Sequence, residues 1–73
     1  MSQKKIIIDT DRHKGCLFKV SPSGRELHVY EVQPGWFGST QRHIGEAADF
    51  EDALEIIKTS VEGTIRNIRI QPW

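Results

Sequence analysis

A single cysteine, Cys16, excludes an internal disulfide, so no framework of cross-links is expected to hold this chain together. A lone thiol suits a reducing compartment, and a cytoplasmic location is the expectation. No apolar run exceeds three residues, far short of the ~20 that cross a bilayer, so no membrane span is expected. The opening MSQKK leads into one of those short runs and lacks the apolar segment of a secretory signal. A surplus of charge is missing as well, because ten acidic and ten basic side chains cancel. The basic excess that usually marks a nucleic-acid-binding domain is therefore absent. Repeats, low-complexity tracts and linkers are lacking, and 73 residues leave room for one domain, residues 1–73.

What is present begins with residues 49–63, DFEDALEIIKTSVEG. Asp49 is placed to cap a helix, with Glu51 and Asp52 facing the positive end of its dipole. Phe50, Ala53, Leu54, Ile57 and Val61 recur at the spacing of a buried stripe, which Ile56 widens. Gly63 fits the left-handed position that ends such a helix. Around it lie segments with strand character. Residues 4–9, KKIIID, are β-branched, and residues 16–20 alternate Cys16, Phe18 and Val20 against Leu17 and Lys19. Ser21-Pro22-Ser23-Gly24 reads as a turn into a third strand over residues 26–32, giving a hairpin that Pro34-Gly35 ends. A fourth strand over residues 41–46 and a fifth over residues 64–71, stopped by Pro72, complete the order β-β-β-β-α-β. The expected class is α+β: a small antiparallel sheet of four to five strands with one helix packed on one face. The opposite face is then left for water, a partner or a second copy.

Charge is unevenly placed despite the zero balance. Residues 46–62 hold six acids against one base, Lys58, a net −5 that leaves +5 on the remainder. An acidic helix beside a mildly basic sheet follows.

Chemical motifs are weak. The segment IIIDTD, residues 6–11, is similar to the opening of the nucleoside hydrolases, in which Asp9 and Asp11 would correspond to calcium-binding aspartates. The likeness covers only these residues, and the chain continues Arg12-His13-Lys14-Gly15 where that family has a further aspartate pair. A calcium site needs about six to eight oxygens, so a polar turn is the expectation and no enzyme is inferred. His13, Cys16, His28 and His43 are candidate metal ligands, but His13-x-x-Cys16 is the one close pair, so no metal site is expected. Cys16 shares the parity of Phe18 and Val20 and reads as a small core residue. No cofactor motif is present: the glycines of QPGWFGST match no phosphate-binding pattern.

The surfaces worth testing are the aromatic pair Trp36 and Phe37 in that loop and the exposed sheet face. That face is expected to carry Lys19, His28, Tyr30 and Arg69, with Asn67 and Gln71. The leading expectation is a small non-catalytic module that works through protein contacts, including self-association into a homo-oligomer. The alternative is single-stranded nucleic-acid binding, with Lys19 and Arg69 on phosphates and Tyr30 stacking on a base. A third, enzymatic reading would need His28, His43 and Asp9 to converge.

Overall fold

A computed structural model describes residues 2–35 and 38–73. The elements are β1 (Lys4–Thr10), β2 (Cys16–Ser23), β3 (Glu26–Gly35), β4 (Gly38–Ala47), α1 (Phe50–Ser60) and β5 (Ile65–Pro72). The strands form one antiparallel sheet in the order β4-β3-β2-β1-β5. The expected α+β architecture and element order are both present. β1, whose pairing the sequence leaves open, lies inside the sheet between β2 and β5.

Register assigns the two faces. Ile6, Phe18 and Glu31 lie in one row across β1, β2 and β3, and Val20 sits opposite Val29 on the same side. These rows face α1. Ile6, Ile8, Phe18, Val20, Leu27, Val29, Ala47, Ala53 and Ile57 make the buried core. Phe50, Leu54, Ile56 and Val61 pack around it, so the helical stripe read from spacing is the one that docks. Asp49 caps α1 as expected, accepting a 2.9 Å hydrogen bond from the Asp52 amide.

Several boundaries differ from expectation, for physical reasons. The β2–β3 turn is not 21–24 but the pair Gly24-Arg25, with Ser23 opposite Glu26. Gly24 has φ 63° while Arg25 is not left-handed, the pattern of a hairpin with glycine at its first central position. Pro22 instead belongs to β2, and Pro34 belongs to β3, which runs on to Gly35. Both prolines lie past the end of the neighbouring strand on one side, so the missing amide costs no ladder bond there. β4 is longer than residues 41–46, and Pro72 is within β5, an edge strand. Gly63 does not occupy the helix-ending position: α1 ends at Ser60, and the capping residue Val61 is already extended. The left-handed φ of Gly63, 90°, instead swings the chain onto Asp11.

β4 contains one irregularity that matters for the other face. Val29 sits opposite Gly45 and Tyr30 opposite His43, so Ile44 is an extra residue, a β-bulge. Ile44 packs toward the core, and Gly45 lies against Ile56 of the helix. The alternation of β4 is thereby reset, and His43 and Glu46, three apart, share the face away from α1.

Candidate functional site: the uncovered sheet face

No other element of the described chain covers the face opposite α1. One row across it reads Gln71, Lys5, Lys19, Tyr30, His43, and the next reads Arg69, Ile7, Leu17, Val32, Gln41. A third places Ser21 beside His28 and Glu46. The expected face residues Lys19, His28, Tyr30, Arg69, Asn67 and Gln71 all lie here. Trp36 and Phe37, the two residues between β3 and β4, lie outside the described residues.

The centre of the face is apolar but shallow. Val32, on this face, is only 4% exposed. Charged groups ring this centre. Arg69 lies 3.8 Å from Asp9, while Glu51, Asp52 and Glu55 sit exposed on α1, on the far side of the sheet. The helix acids and the cations Lys5, Lys19 and Arg69 thus lie on opposite sides of the sheet, with Asp9 and Glu46 sharing the cations' face.

Three residues that sequence reasoning did not place on this face shape it. Trp73, which follows β5, hydrogen-bonds through its amide to the Gln3 carbonyl at 3.1 Å. Its ring lies over the face, with Lys19 Nζ 5.1 Å and Lys5 Nζ 5.4 Å from its centroid, within cation–π range. The third is His43. Its Nε2 stands 3.1 Å from Nδ1 of His28, a hydrogen bond in which one imidazole donates and the other accepts. The edge of one ring meets the other between Tyr30 and His43, at 5.3 Å between centroids and 70° between planes. Glu46 Oε1 lies 3.9 Å from His28 Nδ1. The meeting of Trp73 with Lys5 and with the expected Lys19 carried no sequence signal, since nothing local indicates how the chain turns after Pro72. The convergence of His43 with Glu46 was equally hidden, because regular alternation puts residues three apart on opposite faces.

The remaining motif residues have structural tasks. Asp9 accepts from the Gly15 amide at 2.7 Å and faces Arg69, and Asp11 accepts from the Thr64 amide at 2.8 Å. Both aspartates of the IIIDTD segment are thus held by their own chain. His28 and His43 do meet, but Asp9 does not join them. The His28 row crosses β1 level with Gln3, and Asp9 is six residues further along, roughly 20 Å at the rise of a strand. His13 turns toward Glu62, at 3.9 Å. Cys16 lines a groove of about 470 Å³ with Glu31 and Val61. Burial, then the charges of Asp9 and Glu31, push its thiol above the ordinary range, so it stays protonated at neutral pH and is a poor nucleophile.

Comparison with known protein families, characterised proteins and solved structures gives no match. Among the described residues, no helix is long and apolar enough to cross a membrane.

Proposed function

We propose that this chain is a non-catalytic module acting through protein contacts, and that its first partner is a second copy of itself joined along β5. The observation that carries the reading is Ile70. It sits on the outer strand, beside the fully buried Ile6 on the helix side, yet is 49% exposed. α1 lies over β3 and β4, so its cover runs out before this end of the face. The outer edge of β5 also presents unpaired backbone groups, which a two-fold copy would satisfy while placing Ile70 against its partner. A core this small gains from such an extension. Light scattering at high micromolar concentration is expected to give twice the 8.4 kDa chain mass, with Ile70→Lys returning it to the single-chain value. A single-chain mass for the unaltered protein removes the reading.

One observation favours single-stranded nucleic acid as a second reading: the Trp73 ring held by Lys5 and Lys19 in the row of Tyr30. Two aromatic platforms beside cations are the components of sequence-tolerant stacking. Fluorescence anisotropy with a short single strand at low salt would then show salt-sensitive binding. Tyr30→Ala or Trp73→Ala would weaken it about tenfold, given ~1–3 kcal/mol per stacked base. Absence of binding at low salt eliminates it.

A further inference from the structure

We infer that His28, His43 and Glu46 form a binding site for a divalent transition-metal ion, with zinc as the ion best suited to its donors. The inference stands apart from the self-association reading, since the site lies on β3 and β4, at the opposite side of the sheet from β5. Two imidazole nitrogens and one carboxylate oxygen converge with their donor atoms all within 4.8 Å of one another. Bonds of about 2.0–2.2 Å in a tetrahedral zinc centre place neighbouring donor atoms roughly 3.3–3.5 Å apart. The two separations from His28 Nδ1, 3.1 Å to His43 Nε2 and 3.9 Å to Glu46 Oε1, bracket that value. Side-chain rotations that draw the three donors together would seat the ion between them.

The backbone explains why these donors converge. His28 and Glu46 are directly opposed across β3 and β4, so their side chains rise from the same spot on the open face. In an uninterrupted strand His43 would point to the helix side, three residues from Glu46. The extra residue Ile44 turns it back, and Ile44 itself is anchored by the core beneath. Bulges recur where a strand must re-aim a side chain. Tyr30 then braces His43 from the side. The chelate is therefore built on two paired strands rather than on mobile loops, which limits the entropy lost on binding.

Two nitrogens and a carboxylate oxygen match the borderline metals, whereas calcium and magnesium prefer an all-oxygen shell. Three protein donors leave a fourth position to water, the pattern of an open rather than a closed centre. Both histidines must offer a lone pair, so the hydrogen bond between them is exchanged for two metal bonds. Metal binding is consequently lost as the imidazoles protonate.

The test is calorimetric titration of the untagged full chain with zinc chloride at neutral pH, with cobalt(II) as a visible probe of tetrahedral geometry. The expected result is one ion per chain. His43→Ala is expected to weaken binding about 100-fold and Glu46→Gln by tenfold or more, since even outer-shell partners of a metal account for about 10–100-fold. His13→Ala, which removes the other histidine facing a carboxylate, is expected to leave the titration unchanged. His43 is exposed on an edge strand, so its replacement preserves the fold and circular dichroism verifies this. No saturable heat with zinc, or a titration that His43→Ala leaves unaltered, overturns the site.

Discussion

Phe18→Ala is expected to remove about half of the stability of this fold. Phe18 is the largest of the fully buried side chains and sits on β2, the middle strand of the sheet, beneath α1. Truncating a buried phenylalanine costs about 3–5 kcal/mol, from lost transfer energy and the cavity left behind. A chain of this length holds only some 4–11 kcal/mol in all, at the usual stability per residue. Urea titration followed by circular dichroism would show the midpoint fall by about half. Leu17→Ala supplies the contrast. Leu17 is next in sequence but on the uncovered face, half-buried, and its truncation should cost only about 1–2 kcal/mol by the area it hides from water. Equal losses at the two positions would mean that both faces are packed alike.

The second large effect is expected at a glycine. Gly63 has φ 90°, a conformation that a side chain disfavours, and a Cβ there would collide with the Asp11 carboxylate. That carboxylate accepts from the Thr64 amide at 2.8 Å, and the Asp11 amide donates to the Thr64 carbonyl at 3.0 Å. Together these bonds tie the exit of α1 to the β1–β2 turn. Gly63→Ala adds backbone strain of about 1–2 kcal/mol and weakens a charge-assisted bond of about 1.5–3 kcal/mol. A loss near 3 kcal/mol lowers the melting temperature by roughly 12–24 °C in a domain of this size. Gly24→Ala, at φ 63° but with open space around it, should incur the strain alone. In an Asp11→Ala background the cost of Gly63→Ala should shrink, because the collision is gone. A drop under about 4 °C for Gly63→Ala would show that the tie carries little.

How much of this was legible in the sequence depends on range. The helix was readable because its cap, first-turn acids and stripe lie within one short segment and agree with each other. The β2–β3 hairpin was readable for the same reason, although its turn fell two residues later than Pro22 suggested. Proline reads locally as a turn or a stop, whereas what decides its place is whether the neighbouring strand still runs alongside, and that is a tertiary fact. The same holds for Pro34. Period-two alternation placed Lys19, His28, Tyr30 and Arg69 on one face correctly. It assigns no facing in the fourth strand, where one inserted residue inverts the facing of everything beyond it, and nothing in QRHIGE marks the insertion before Ile44 is seen to dock. Trp73 over Lys5 and Lys19 depends on β1 pairing with β5, a contact between the two ends of the chain.

The electrostatic layout follows from these placements. An acidic helix on one side and Lys5, Lys19 and Arg69 on the other give a neutral protein two unlike surfaces.

The account turns on the bulge in β4, because it decides which side of the sheet His43 occupies. Nuclear Overhauser spectroscopy of the labelled protein reads this directly. The expected cross-peaks join the His43 ring to those of Tyr30 and His28, and the Gly45 α-protons to the Ile56 methyl groups. Cross-peaks from the His43 ring to Ile56, with Ile44 opposite Tyr30, would mean a regular strand and would contradict the account.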